Sequence, residues 1–389
     1  MKYISRSIEQ TFLEKSKGYK VVLVAGADEI GKTTMMKHLS EGERRSIVSL
    51  SDLHLRTLAK SEPDLFFEMF KPPVMIDGVH FVPSMLYKMK EICEQSDEMG
   101  QFWLTCPPES TFIEEVEKIM GDDVAVLKMY GLSLKEKNGV FPKKNLIDTY
   151  RQIWRGGMPA VNDIPQEEKA KYFWHYFNDN LLGQIVESKK IKLPTEFSDF
   201  LSACAMNISQ ILSVQRLAKI AGISCPTATI WLQILIDQGI IYLLKPYEND
   251  EFLRTITKPR LYFTDTGLCS YISNWKTPEE LMNGGESEAY FKNFVIMELV
   301  KSFANRTDGL ELRFFRNCNR RQIDLLIVKG RELYPFEIRK AAAPGKETMR
   351  DFNVLDGKSV IRGSGGIICT CRELEKISER DYLLPYHIF

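Results

Sequence analysis

Residues 21–36 constrain this chain more than any other stretch. They read Val-Val-Leu-Val-Ala, then Gly26-Ala27-Asp28-Glu29-Ile30-Gly31-Lys32-Thr33-Thr34, then a segment with helical character. Gly-x-x-x-x-Gly-Lys-Thr between an apolar strand and a helix is the pattern of a phosphate-binding loop. Its glycines let successive backbone N–H groups turn inward and cradle phosphate oxygens. On this reading the whole run Gly26, Ala27, Asp28, Glu29, Ile30, Gly31, Lys32, Thr33 and Thr34 surrounds a nucleoside triphosphate. Lys32 reaches the β- and γ-phosphates, and the Thr33 hydroxyl is a ligand of Mg²⁺. Asp28 and Glu29 would repel phosphate if they pointed inward, so they are expected to face solvent.

The surroundings of the loop fit this reading. Val21–Ala25, Ile47–Leu50, Val74–Ile76 and Phe102–Thr105 read as buried strands, with helices at Met35–Leu39 and Met85–Cys93 between them. Short apolar strands alternating with helices imply a parallel sheet covered on both faces. Ligands of such sheets sit beyond the carboxyl ends of the strands, where Gly26–Thr33 falls. Pro73-Val74-Met75-Ile76-Asp77 is a hydrophobic strand ending in a carboxylate, and Asp77 is the second metal-holding and catalytic candidate. Its neighbour is Gly78, so no carboxylate is obviously placed to activate water. His80 stands two residues on and is read as a packing histidine before a base. Arg155, on Arg155-Gly156-Gly157-Met158-Pro159, is the remaining catalytic candidate, either as a finger toward a γ-phosphate or as a helix-capping arginine on a tight turn.

A chain of 389 residues suggests roughly two or three domains. The divisions fall at 1–160 for a P-loop domain, 161–278 for a largely helical domain, and 279–389 for a domain mixing a long helix with strands. Formal net charge is zero, so any nucleic-acid or membrane contact must come from a local patch. None of the 8 cysteines forms Cys-x-x-Cys, which argues against structural zinc. The start carries no signal-peptide pattern. The apolar run Thr229–Leu244 is interrupted by Gln233, Asp237 and Gln238 and is short for a bilayer. The expectation is a cytoplasmic protein with reduced thiols and no membrane association; the sequons at Asn207 and Asn305 are then chance matches.

Within residues 160–275, Gln166–Val186 is amphipathic and aromatic. Leu212–Leu244 reads as helix, turn at Gly222, helix, then a β-like run, the order of a helix-turn-helix. Further on, a helix at Glu288–Phe303 precedes strands near Leu312–Phe315, Ile323–Val328 and Leu333–Ile338. Gly330-Arg331 makes a hairpin of the last two.

Many pieces, in order, resemble a group of bacterial and archaeal AAA+-type ATPases. They include Tyr3-Ile4-x-Arg6, Gly31-Lys32-Thr33-Thr34, Leu55-Arg56-x-Leu58-Ala59, Pro73-Val74-x-Ile76-Asp77 and Tyr130-x-Leu132-Ser133-Leu134. Others are Arg155-Gly156-Gly157-x-Pro159, Lys258-Pro259-Arg260-Leu261-Tyr262-Phe263-x-Asp265-Thr266-Gly267-Leu268 and Asn293-Phe294-Val295-x-x-Glu298-Leu299. The resemblance implies an α/β fold: a P-loop parallel-sheet domain, a helical winged-helix middle domain and a C-terminal α+β restriction-endonuclease-like domain. It also implies ATP and Mg²⁺ as ligands and assembly into a homo-oligomer or with a protein partner. This chain departs from the pattern at Asp28-Glu29, at Gly78 (glutamate in the family) and at Thr105-Cys106-Pro107. Each departure removes a group that senses or hydrolyses nucleotide, so the expectation is an ATP-binding switch with weakened hydrolysis.

The alternative is a nucleic-acid-binding protein of nuclease descent, regulated by nucleotide. The second helix of the helix-turn-helix, Pro226–Asp237, has no Lys or Arg, which favours a structural role over reading DNA. Arg254, Lys258 and Arg260 follow in the wing. In the C-terminal part, Asp324 and Glu337 could meet across the hairpin as a nuclease pair. The resemblance puts the upstream glutamate of that site at Lys292 and its lysine at Arg339, which argues against catalysis. Arg313, Arg316, Arg320 and Arg321 form a basic cluster for nucleic acid or an acidic protein, or a solvated sheet edge.

Overall fold

In the computed structural model the described residues are 3–138, 145–183, 191, 194–249, 252 and 256–388. Arg254 and the end of the Gln166–Val186 stretch lie outside them. The chain forms two compact units, Met1–Leu132 with Ile234–Ile240, and Ser133–Gln233 with Ile241–Phe389.

The first unit is built on five strands: β1 Val21–Ala25, β2 Ser46–Ser49, β3 Val74–Asp77, β4 Phe102–Cys106 and β5 Val124–Lys128. Their order is β2-β3-β4-β1-β5, and every pairing is parallel. Strand β1 is buried along its whole length, because β4 and β5 flank it in register, Val24 beside Thr105 and Leu127. Side chains of successive strand residues point to opposite faces, so one apolar run feeds two cores. Leu23, Ile76 and Leu104 pack against Phe66, Met85 and Val116 on one face. Val22, Val24 and Trp103 pack against Phe12, Met35 and Met36 on the other. Each such burial contributes roughly 1.5–3 kcal/mol. Helices Glu9–Gly18, Leu53–Ser61, Pro63–Met69 and Ser110–Met120 complete the layers.

The second unit opens with helices that include Leu146–Arg155, Lys169–His175 and Pro194–Ala205. Helices Val214–Ile220 and Cys225–Asp237 follow, with a 103° bend between them and Gly222 at φ 68° in the turn. Strands β6 Ile241–Leu244 and β7 Arg260–Phe263 then pair antiparallel, Ile241 beside Phe263. Among the described residues no single helix is long and apolar enough to cross a membrane, and only by length and composition could the bent pair do so together.

The C-terminal sheet contains β8 Glu311–Arg316, β9 Gln322–Lys329, β10 Glu332–Ile338, β11 Ile361–Arg362, β12 Gly365–Cys369, β13 Glu375–Lys376 and β14 Asp381–Pro385. Its order is β13-β14-β12-β10-β9-β8, with β11 beside β10. The expected hairpin is present: β9 and β10 pair antiparallel, and Gly330 turns them at φ 58°. The helix Ser287–Phe303 buries Phe291, Ile296 and Leu299.

Candidate functional site

The loop between β1 and the helix Lys32–Leu39 is shaped by its end residues. At Gly26, a Cβ would stand 2.4 Å from the Met129 carbonyl oxygen, so this position takes only glycine. Gly31 is at φ 95°, directly before the helix. Ile30 is buried, and its carbonyl accepts from Arg6 Nη1 at 2.8 Å, while Arg6 Nη2 donates to the Tyr130 carbonyl at 2.6 Å. Arg6 therefore staples the loop to the end of β5 and the segment after it. The first-turn N–H groups of the helix have no partner within the helix, which suits them to an anion.

Lys32 is buried, and its ammonium donates to the Gly26 and Ala27 carbonyls at 2.7 Å each. Burial lowers its pKa; Asp28, 3.8 Å away, opposes that shift. Asp28 keeps 44% of its side-chain surface accessible while lying beside the buried ammonium. Glu29 is exposed, at φ 60°. Thr34 lies exposed on the first turn of the helix.

The metal-holding candidates come together. Thr33 Oγ1 donates to Asp77 Oδ1 at 2.5 Å, Thr105 Oγ1 donates to the same oxygen at 2.7 Å, and Ser49 Oγ donates to Asp77 Oδ2 at 3.1 Å. Three strand ends and the loop helix converge on one carboxylate. Thr105 also accepts from the Gly78 N–H at 2.9 Å. Sequence reading singled out neither Ser49 nor the Thr105–Asp77 bond, although strand alternation puts all three residues at carboxyl ends of adjacent strands. Thr33 and Asp77 offer a hydroxyl and a carboxylate side by side, a donor set that fits Mg²⁺. Gly78 is at φ 79°, and a Cβ there would stand 2.9 Å from Phe81 Cδ2. The His80 ring packs against Phe81 with centroids 4.1 Å apart and the planes tilted by 35°.

Gly239, in the Ile234–Ile240 segment of the same unit, closes the outer side of the loop. At φ 70°, a methyl there would stand 3.1 Å from Ala27 Cβ and 2.9 Å from Pro108 Cγ. No local motif marks this contact.

Arg155 lies in the second unit, and its Nη1 donates to the carbonyls of Val161, Asn162 and Ile164 at 2.9, 3.1 and 2.8 Å. These bonds tie the Arg155 side chain to the carbonyl groups that follow its own turn. The turn it begins fits another motif. Gly156 is at φ 81°, the Gly157 N–H donates to Asp265 Oδ2 at 2.6 Å, and a Cβ on Gly267 would stand 2.3 Å from the Arg155 carbonyl oxygen. Arg155-Gly156-Gly157 and Asp265-Thr266-Gly267 are two halves of one backbone joint.

On the helix Cys225–Asp237 the exposed residues include Pro226, Thr229, Ile230 and Gln233. Of the basic cluster, Arg313 pairs with Glu311 at 2.6 Å, Arg321 donates to Asn353 at 2.6 Å, Arg320 is exposed in a turn at φ 60°, and Arg316 is half-buried. Asp324 accepts from Arg260, Lys292 and Arg339. Burial alone would raise the Asp324 pKa, but Lys292, Arg260 and Arg339 hold it well below the carboxylate range. Burial and the adjacent Asp324 charge push Glu337 well above that range.

A family model for an AAA domain matches residues 18–138. Models of two domains of unknown function, DUF8612 and DUF4143, match residues 147–279 and 287–389. The chain is similar to the uncharacterized proteins Rv2008c of Mycobacterium tuberculosis and Mb2031c of Mycobacterium bovis, each 18% identical over 326 residues, 83% of this chain and 71% of the relative. Among solved structures it is similar to the Walker-type ATPase PABY2304 of Pyrococcus abyssi, at 13% identity and TM-score 0.39, covering 69% of this chain and 96% of that one. It is also similar to the Thermotoga maritima RuvB Holliday junction branch migration motor, at 16% identity and TM-score 0.31, covering 60% and 86%. The parallel sheet, the loop on its carboxyl edge and the match to residues 18–138 make this part of the chain an AAA-type P-loop domain, built to bind nucleotide.

Proposed function

We propose that the protein is an ATP- and Mg²⁺-binding switch in which hydrolysis is weakened. The observation that carries this reading is the network around Asp77. Thr33, Ser49 and Thr105 all donate to it, yet the next residue is Gly78, with no carboxylate to orient water. Lys32 and the loop amides from Ala27 to Thr34 would hold the phosphates, with Thr33 and Asp77 on Mg²⁺. A bound Mg²⁺ neutralises charge on the phosphate oxygens. Release of Lys32 from the Gly26 and Ala27 carbonyls, and of Asp28 from Lys32, would accompany phosphate entry. Both lower affinity relative to a free lysine.

The bent helix pair with the β6–β7 hairpin is read as a winged helix of structural role, since its second helix exposes Thr229, Ile230 and Gln233 and has no Lys or Arg. The sheet β8–β14 with the helix Ser287–Phe303 is read as the endonuclease-like domain, and an oligomer in the cytoplasm as the working form. Arg155, engaged with three carbonyls, is read as structural and not as a finger.

The test is ATP affinity with Mg²⁺ by calorimetry, and phosphate release over hours, on one purified sample. Binding without release supports the switch. Rapid release points to an unrecognised catalytic group, and absence of binding removes the reading altogether. Salt-dependent DNA or RNA binding, lost on charge reversal of Arg320 and Arg321, would instead favour the nucleic-acid alternative.

A further inference from the structure

Asp324 on β9 and Glu337 on β10 are buried carboxylates, 1% and 2% exposed. An ionised carboxylate at this depth, as at Asp324, requires a cation or a dense set of donors. A divalent ion is one solution, and it needs several oxygen ligands with free lone pairs. Here the lone pairs of Asp324 are spent on side chains. Arg260 Nη1 is 2.9 Å from Asp324 Oδ1, and Lys292 Nζ and Arg339 Nη1 are each 2.8 Å from Oδ2. The Ile338 N–H also donates to Oδ2 at 3.3 Å, and Arg339 Nη2 donates to Glu337 Oε2 at 2.7 Å. Among the described residues no group of three or more His, Cys, Asp or Glu converges as a metal site would require. The donor set therefore does not fit a metal ion.

We propose that the Lys292 ammonium, with Arg260 and Arg339, replaces the divalent cation of a carboxylate metal centre in this sheet. Lys292 rises from the helix Ser287–Phe303 one turn beyond Glu288, whose Oε1 is 3.9 Å from its Nζ. A carboxylate at position 292 would give the site Asp324, Glu337 and a third acidic group around one point. The lysine instead brings its own charge, tethered to the chain and insensitive to metal supply. Metal-assisted phosphodiester cleavage, which needs an ion to bind both water and phosphate, has no place to occur here. The rim stays cationic: the Lys292 and Arg339 side chains keep 17% and 27% of their surface accessible. This inference is independent of the nucleotide reading of the first unit.

The test uses Mn²⁺ as the probe on the full-length, nucleotide-free protein, with bound ion read by loss of the free-ion electron paramagnetic resonance signal. Wild type is expected to show no Mn²⁺ uptake that Glu337→Gln diminishes, and Lys292→Glu to take up the ion with affinity raised at least about tenfold. In case Lys292→Glu does not fold, Lys292→Gln provides a second readout. It is expected to melt below wild type in metal-free buffer and to be raised by millimolar Mn²⁺, which leaves wild type unmoved. Mn²⁺ uptake by wild type that Glu337→Gln diminishes would overturn the proposal. So would folded position-292 variants on which Mn²⁺ has no effect.

Discussion

Thr105 holds Asp77 in place: its hydroxyl donates to Asp77 Oδ1 at 2.7 Å while accepting the Gly78 N–H at 2.9 Å. One side chain thereby fixes both the Asp77 carboxylate and the backbone beyond it. Thr105→Val keeps the shape and leaves the Gly78 N–H without its acceptor. Mg²⁺-ATP affinity should fall roughly tenfold, with ATP in chelator affected less. Calorimetry with and without Mg²⁺ reads the difference, and equal losses in both conditions would sever Thr105 from the metal site.

Position 78 resists the change that family comparison invites. With φ at 79° and Phe81 Cδ2 2.9 Å from a would-be Cβ, a side chain there strains the backbone. Gly78→Glu should destabilise the protein by roughly 1–2 kcal/mol. It should also leave phosphate release near the wild-type rate, because the strained carboxylate is not delivered to the attacking water. A thermal melt and a phosphate-release assay check this; wild-type stability with fast release would contradict it.

The Arg155–Gly267 joint makes a separate prediction. Gly267→Ala drives a methyl to 2.3 Å from the Arg155 carbonyl oxygen and 2.9 Å from Gly156 Cα, both backbone atoms. The expected cost is about 1–3 kcal/mol in denaturant unfolding, with ATP affinity little changed if Arg155 is structural.

Asp324 sets an acid limit. Its folded pKa is depressed by Lys292, Arg260 and Arg339 against the opposing effect of burial. Its contribution is therefore present above the ordinary carboxylate value and lost as pH falls toward the folded one. Asp324→Asn should cost about 3–5 kcal/mol near neutrality, because it strands buried cations. The gap to wild type should narrow in acid. A gap independent of pH would show that charge is not the cause.

Lys169 also makes stability rise with pH, but through burial and in a higher pH range. Its ammonium donates to Ser270 at 2.7 Å and lies 3.7 Å over the Trp154 ring, and burial lowers its pKa to about 7. The folded state sheds this proton before the unfolded state does, so stability rises with pH from about 7 toward the unfolded value of 10.5. Lys169→Met should remove that rise and gain roughly 1–2 kcal/mol on the acid side of the transition. Urea unfolding across the pH range tests it.

What was legible in the sequence follows from local physics. Strands β1, β3 and β4 stood out because a parallel strand buried on both faces must be apolar throughout. The loop between β1 and its helix was readable because its spacing is fixed by short-range geometry, and Asp77 stood out as the carboxylate ending an apolar strand. The β9–β10 hairpin was announced by Gly330. Contacts between distant positions left no such trace. Arg6 reaches the Ile30 and Tyr130 carbonyls, and Arg260 reaches Asp324, pairings set only once the sheets assemble.

Gly239 carries a consequence for how the protein is made. During synthesis the N-terminal sheet leaves the ribosome long before Ile234–Ile240 exists, so Ala27 lacks its outer wall until the intervening chain has been translated. The nucleotide loop is thus completed late, and a nascent chain ending near Leu132 carries the motif without its finished setting. Cutting the gene at the boundary suggested by linear order would separate the loop from a part of its own unit.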